Sequence, residues 1–362
     1  MQKSLSRYAL FLFSSICLLA ATACGTETSS TAPNGLKYQK TEGETMGTTY
    51  HITYADSVEI ELKTRIDSLL VSLNNEVSTY IATSFISKFN HSKSGIPLIG
   101  ENKKPIAPHF YANLQKAKEI FEKSGGAFDP TVMPLVNYWG FGYTEHLAIT
   151  SVDTILVDSL RKNYTGFEKV VMAKRDNITY LEKANAGVEL DFSALAKGYG
   201  VDAVALFLEK NGITNYMVEI GGEVRGRGKN ERGSGWIIGI NTPSETAHVT
   251  DFQSKIRLVD RSLATSGNYR NYYEVNGQKY SHTINPKTGF PERSNLLSAT
   301  ILAPDCMTAD ALATTCMVLG LEKAMELVLT MPDIDGYFIF GDTLNNFGME
   351  YTSGIDSLLV KE

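Results

Sequence analysis

The sequence predicts an α+β fold, with antiparallel and mixed sheets packed against helices. Strand-like segments come mostly in pairs joined by short turns, and Asn276-Gly277 is the strongest hairpin signal among them. Strands and helices alternate irregularly, unlike the strand–helix repeat of a doubly wound sheet. Gly221-Gly222 and Gly226-x-Gly228 lie between strands rather than opening a helix, so they are not a Rossmann fingerprint.

From the N-terminus, alternation predicts a strand over 47–54. Ile60, Leu62, Ile66, Leu69, Leu70 and Leu73 recur at helical spacing and predict a helix over 58–77. Residues 84–90 read as a short turn or helix. Residues 108–123 read as a second helix, stopped by Gly125-Gly126. A shorter helix is expected over 152–163, then three short strands at 169–173, 177–182 and 187–190. A helix over 193–210 follows, with Leu195, Tyr199, Ala203, Leu206 and Phe207 inward and Asn211-Gly212 at its end. Strands are expected at 216–220, 223–228, 235–240, 255–259, 270–275, 279–283 and 297–302. Thr308 is expected to cap a helix running to about Leu319. A helix over 321–330 and a hairpin of 337–340 with 347–351 complete the pattern. No internal repeat is visible, and no linker within 36–362.

The chain has 362 residues, 43% apolar and 20% charged, with mean hydropathy −0.13. That length gives ample core for one large domain or two ordinary ones. The composition excludes a disordered chain, a collagen-like fibre and a polytopic membrane protein. Lys and Arg total 34 against 40 Asp and Glu. An acidic surface repels phosphate backbones, which argues against nucleic acid as a partner.

Residues 1–23 read as a signal peptide. Lys3 and Arg7 precede an apolar stretch over 8–20 that is short for a membrane span. Ala21-Thr22-Ala23-Cys24-Gly25 is similar to a bacterial lipobox, in which Cys24 would be acylated and become the N-terminus. Ordinary cleavage after Ala23 is the other reading. The Ser/Thr-rich stretch 26–31 suits a flexible tether. The expectation is a lipidated Cys24 and tether over 24–37, then one domain over 38–362. It would be exported and membrane-anchored, facing the periplasm or cell exterior. Cys306 and Cys316 sit ten residues apart on one predicted helix, about 15 Å along its axis. A disulfide needs Cα atoms within roughly 7 Å, so two free buried thiols are expected.

Neither a phosphate loop GxxxxGK[ST] nor a GxSxG elbow, HExxH or EF-hand loop occurs. Arg225, Arg227, Lys229 and Arg232 form a basic run that suits an exposed hairpin better than a phosphate site. Three constellations carry chemistry. Asp310 and Thr314, at i and i+4, share a helix face. A carboxylate and a hydroxyl together suit a hard cation such as Mg²⁺, although Asp310 in a first turn would also favour the helix dipole. Asp191 precedes a helix whose first turn carries Lys197. This fits phosphate at a helix N-terminus, or equally an N-cap with a solvated lysine. His282 sits where a strand gives way to a Pro/Gly turn, as a general base or a structural histidine.

Their ordered combination is more specific than any one. Met46-Gly47-Thr48-Thr49-Tyr50 is followed by Ser78-Thr79-Tyr80 with Ile86-Ser87-x-Phe89-Asn90, then Gly126-Ala127-Phe128-Asp129-Pro130-Thr131-Val132. Asp191 to Gly200, Gly221-Gly222-Glu223-x-Arg225, Ser266-Gly267-Asn268-Tyr269, Ser281 to Pro291, and Ala309 to Thr314 with Val318-Leu319-Gly320 complete eight blocks. In this order they resemble the ApbE family, the exported FAD:protein FMN transferases, over about 40–350. The resemblance implies an ApbE-like fold, FAD as substrate and Mg²⁺ as cofactor. It implies transfer of FMN to a Thr hydroxyl of an exported acceptor flavoprotein with a D-[GS]-[AS]-T-[ST]-type motif, with AMP released.

By the same resemblance, Asp310, the Thr314 hydroxyl and the Ala194 carbonyl would hold the metal. Asp191 and Lys197 would contact the flavin nucleotide. Met46, Tyr80, the segment Ala127-Phe128-Asp129 and Ile284 would line the FAD site, with Tyr80 able to stack on a ring. His282, or Asp310, would take the acceptor's proton. Asn285 stands where the family often has Asp. Two alternatives keep the same site: an FAD pyrophosphatase giving FMN and AMP, in which water replaces threonine, and a non-catalytic FAD-binding lipoprotein. A carrier needs no metal at the pyrophosphate, so Asp310, Thr314 and His282 argue against the second.

Overall fold

The computed structural model describes residues 36–56, 61–144, 151–244, 248, 251–268, 272–275, 278–341 and 347–361. The signal segment, Cys24, the tether before Leu36 and the Asn276-Gly277 turn lie outside the described residues. No helix among those described is long and apolar enough to cross a membrane.

In chain order the elements are β1 (Lys37–Thr45), β2 (Thr48–Asp56), α1 (Lys63–Val77), α2 (Phe85–His91), β3 (Gly95–Ile99), α3 (Pro108–Lys123), α4 (Met133–Tyr138) and α5 (Thr154–Tyr164). Then follow β4 (Val170–Arg175), β5 (Ile178–Lys183), α6 (Ala196–Lys210), β6 (Tyr216–Ile220), β7 (Glu223–Arg227), β8 (Trp236–Asn241) and β9 (Phe252–Leu258). The chain continues with β10 (Arg261–Gly267), β11 (Tyr272–Val275), β12 (Gln278–Ser281), β13 (Leu296–Ala303), α7 (Cys306–Leu319), α8 (Leu321–Leu329), β14 (Asp335–Gly341), β15 (Phe347–Tyr351) and α9 (Ser353–Asp356). Eight strands form one sheet, in the order β1-β2-β6-β7-β10-β13-β14-β15. Its neighbours pair antiparallel throughout, as the hairpin-rich sequence predicts.

Strand alternation gives the sheet two faces. On one, Ala299, Ile301 and Phe338 join a core with Leu312, Ala313 and Cys316 of α7, and Tyr216, Val218 and Ile220 pack on Val201, Val204 and Leu208 of α6. On the other, Val224, Leu263, Leu302 and Ile339 meet Trp236, Ile256 and Leu258 of the β8–β9 ribbon and Ile355 of α9. Helices α6 and α7 therefore lie side by side on one face of the sheet. This places the two most informative motifs, Asp191 to Gly200 and Ala309 to Thr314, against each other.

Several expectations are corrected. Residues 187–190 join no ladder. Instead Asn90 mimics a strand partner, its side chain bonding both the N–H and the C=O of Leu190 at 2.8 and 2.9 Å. Buried Lys183 donates to the carbonyls of Asn90, Ala186 and Val188, and burial pulls its pKa down to about 8. These side chains satisfy backbone groups that a ladder would otherwise serve. Helix α7 starts three residues earlier than expected: Asp305 caps it by accepting from Thr308 N–H at 2.8 Å. The inward face of α6 is Val201, Val204, Ala205 and Leu208, and Leu206 is exposed. Of the basic run, Lys229 and Arg232 are exposed as expected, but Arg225 turns inward to pair with Asp202, and half-buried Arg227 pairs with Glu209. Cys306 and Cys316 are free and buried, as expected.

Candidate active site

Helices α6 and α7 touch at Gly198. A Cβ there would lie 2.4 Å from the Cys306 carbonyl oxygen and 2.8 Å from Met307 Cα, so no larger residue fits without parting the helices. Helix α6 has Leu195 at its N-cap and no capping side chain of its own. Asp310 of α7 supplies that function: its Oδ2 accepts the Gly198 N–H at 3.0 Å. That N–H is one of the four at the helix start with no acceptor within the helix. Asp310 is 3% exposed, and burial raises its pKa against the opposing effects of Lys197 and the Gly198 N–H. It stands in the second turn of α7, so dipole capping of its own helix does not explain it. A Gly198→Ala variant is expected to displace Asp310 and to cost about 1–3 kcal/mol, as overpacking does. Thermal melting and turnover, measured together, check this.

Lys197, one residue before, extends to Glu223 at the start of β7, Nζ to Oε1 2.5 Å. The glycine hairpin Gly221-Gly222 makes this approach possible. Gly221 has φ +59°, and a Cβ there would meet Thr48 at 2.7 Å and Lys197 at 3.3 Å. Glu223 Oε2 is buried without a hydrogen-bond partner. Burial, against the opposing pull of Lys197 and with added repulsion from Asp310, pushes the Glu223 carboxyl up to about 8. Burial alone would lower Lys197, but Asp310 and Glu223 hold it above its usual value. Two buried acids thus share one lysine. The stability contribution of Glu223 is full below its unfolded pKa near 4.5 and is lost as pH rises through about 8. Melting of chelator-treated protein should therefore show wild type losing stability relative to Glu223→Gln across that window; parallel curves would contradict it.

Thr314, one turn beyond Asp310, has its hydroxyl 3.1 Å from Ser266 Oγ on β10. Among the described residues no group of three or more His, Cys, Asp and Glu could hold a metal ion. The donors on this face of α7 are instead one carboxylate and one hydroxyl a turn apart, to which the resemblance would add the Ala194 main-chain carbonyl. Such hard oxygens suit Mg²⁺. The buried Glu223 oxygen without a hydrogen-bond partner lies within electrostatic reach of Asp310, so the residues present fit such an ion.

A cleft of about 810 Å³ opens beside Lys197, lined also by Met46, Gly47, Asn74, Thr79, Tyr80, Ser193 and Ala196. That lies within the roughly 300–1,000 Å³ of small-molecule sites. Met46 and Gly47 form the two-residue β1–β2 turn with φ of 52° and 73°. A left-handed Met is strained, and such strain collects at functional sites. Tyr80 is 71% exposed, an unusual posture for a large aromatic and suited to stacking. Partial burial and the charge of Asp191 raise its hydroxyl pKa. Asp191 bonds the N–H and hydroxyl of Ser193 at 2.8 and 2.6 Å, so it shapes the turn before α6 rather than capping the helix. The first turn is not an open phosphate cradle either: Ala196 N–H is taken by Phe192 and Gly198 N–H by Asp310.

Other expected residues sit apart from this cleft. Ala127 and Phe128 are buried, Phe128 within the α3–α7 core. Asp129 bonds Thr131 N–H and hydroxyl at 2.8 and 2.6 Å, and burial pushes it up to about 6. Their loop adjoins Asp191, whose N–H donates to the Pro130 carbonyl at 2.7 Å. Ile284 is buried against Leu135, Trp139 and Val157. His282 is half-buried, with Phe141 edge-on at 6.3 Å. Side chains of Ala127, Phe128 and Ile284 thus pack into cores, leaving main-chain atoms as what they can offer a ligand.

A family model for the ApbE family matches residues 46–338. The chain belongs to the ApbE family. The ApbE fold is shared with the solved Flavin Transferase ApbE from Vibrio cholerae, at TM-score 0.78 and 36% identity, covering 90% of this chain and all of that one. The apbe protein from Thermotoga maritima matches at TM-score 0.75 and 26% identity, over 90% of this chain and all of that one. A FAD:protein FMN transferase of Haemophilus influenzae is 38% identical over 315 residues, 85% of this chain and 86% of its own. Another, of Vibrio cholerae, is 41% identical over 289 residues, 79% of this chain and 82% of its own.

Sequence reading missed Glu223, Ser266 and Asp202 as parts of the site. The first two lie inside blocks quoted for the resemblance, but their partners are 26 and 48 residues away, and only the fold reveals them.

Proposed function

We propose that this chain is an FAD:protein FMN transferase. It cleaves the pyrophosphate of FAD and esterifies FMN to a threonine hydroxyl of an acceptor protein, with AMP leaving. The observation that carries this is Lys197 on the wall of a dinucleotide-sized cleft, one residue from the backbone N–H that Asp310 binds. Lys197 neutralises phosphate charge. Tyr80 and Met46 hold ring systems at the cleft mouth. Asp310, Thr314 and the Ala194 carbonyl are the residues to hold Mg²⁺, whose charge when bound would stabilise the departing phosphate oxygen. Asp191, and the main chain of 127–129 and Ile284, complete the FAD site. His282 accepts the proton of the incoming hydroxyl, which attacks phosphorus as the bond to AMP breaks. The acceptor is an exported flavoprotein with a D-[GS]-[AS]-T-[ST]-type motif. The address read over 1–23 and the lipobox-like Cys24 support a lipoprotein anchored outside the cytoplasm, which a Cys24→Ser variant recovered without the membrane fraction would test.

AMP release from FAD and Mg²⁺ is the test, measured with and without acceptor. AMP formed only with acceptor supports transfer. AMP and FMN in equal amounts without it would mean a pyrophosphatase. No AMP, with FAD bound, would leave a flavin-binding protein.

A further inference from the structure

Residues 223, 225 and 227 alternate onto one face of β7, and each meets an opposite charge on α6. Glu223 pairs with Lys197 at 2.5 Å, Arg225 Nη1 with Asp202 Oδ1 at 2.7 Å, and Arg227 Nη1 with Glu209 Oε1 at 2.9 Å. Three rungs spaced along both elements set the axial position of α6 on β7. The middle rung extends to α7. Asp202 Oδ1 also accepts the Cys306 N–H at 3.0 Å, and Oδ2 accepts the Met307 N–H at 2.9 Å. These are the first two residues of α7, whose N–H groups have no partner within the helix. Asp305 caps the next turn position through Thr308. Asp310, in turn, caps α6 through Gly198. The two helices therefore cap each other, and both bonds cross the contact where Gly198 meets Cys306.

We propose that Asp202 is a positioning residue for the cation site. It seats the first turn of α7, and with it Asp310 and Thr314, against the 194–198 turn of α6. Asp202 is 7% exposed, and its carboxylate is fully engaged by Arg225 and the two α7 N–H groups. An asparagine there keeps the shape, but its amide N–H₂ opposes one of those N–H donors and it loses the charge that holds Arg225. The inference rests on reading Asp310 and Thr314 as metal ligands.

The test is Mn²⁺ binding by the full-length chain, followed by the electron-spin-resonance signal of the free ion. Asp202→Asn should weaken Mn²⁺ about 10–100-fold, as loss of a partner outside the ligand shell does, while FAD binding in chelator stays at the wild-type value. Arg227→Gln breaks the rung far from α7 and leaves Arg225 paired with both Asp202 and Glu209; it should lower the melting temperature and leave Mn²⁺ affinity unchanged. If Asp202→Asn fails to fold, Arg225→Lys, which keeps the Asp202 bonds to α7, should show a smaller loss in the same direction. Wild-type Mn²⁺ affinity in the folded Asp202 or Arg225 variant would overturn the proposal. So would equal losses in the Asp202 and Arg227 variants, which would indicate general destabilisation. Asp310→Ala distinguishes the underlying reading: retained Mn²⁺ binding there refutes the metal site itself.

Discussion

Asp310→Ala is expected to abolish metal-dependent turnover, lowering kcat by roughly 10²–10⁴-fold. A bound cation supplies several kcal/mol of charge stabilisation, and each 1.36 kcal/mol is a factor of ten. The fold should survive. Losing the acceptor for Gly198 N–H costs about 0.5–2 kcal/mol, as loss of a helix cap does. Removing a buried carboxylate whose pKa burial raises offsets that cost. Asp310→Asn separates the two roles, because an amide oxygen can still accept from Gly198 but brings no charge to a cation. Its melting temperature should stay near wild type while turnover falls as in the alanine variant. Wild-type turnover in either variant would remove Asp310 from the chemistry.

His282→Ala is expected to reduce transfer about 10²–10⁴-fold, the usual contribution of a positioned base, with FAD affinity little changed. The expectation follows from placement. His282 lies on the segment joining β12 to the Ile284–Pro291 bridge and is not among the residues that line the cleft. Removing it should leave the nucleotide contacts of Lys197 and Tyr80 intact. Single-turnover transfer, set beside FAD binding measured by flavin fluorescence, checks the split. An unchanged rate would move the proton-accepting role to Asp310 or to the acceptor's own aspartate.

The parts of the fold legible in sequence were those with local punctuation. Pro108 at the first position of α3 and Gly125-Gly126 just past its end bound that helix to the residue. Strand β6 alternates cleanly, with Tyr216, Val218 and Ile220 buried. Strand β10 escaped notice because Ser262, Thr265 and Ser266 interrupt its apolar signal. Thr265 is bonded across the sheet by Thr300 and Ser266 by Thr314 of α7, at separations no local window spans, while the Ser262 hydroxyl is buried without a hydrogen-bond partner. Thr308 was mistaken for the α7 cap because Asp305, three residues earlier, is an equally good capping type. The site shows the same division. Asp310, Thr314 and Lys197 were visible through helical spacing and the resemblance. Glu223 and Asp202 were not, since their work is done on a lysine and on backbone N–H groups supplied by other elements. Resemblance also marked Phe128 and Ile284 without distinguishing a lining side chain from a lining backbone, and both side chains turned out to be core.

The central claim is that the cleft beside Lys197 and Asp310 moves FMN onto a protein. Its most direct test is the intact mass of an acceptor carrying a D-G-A-T-S-type motif after incubation with the full-length chain, FAD and Mg²⁺. The account predicts a gain equal to one esterified FMN, absent with EDTA or when the motif threonine is valine. An unmodified acceptor, with FMN and AMP accumulating in solution, would contradict it.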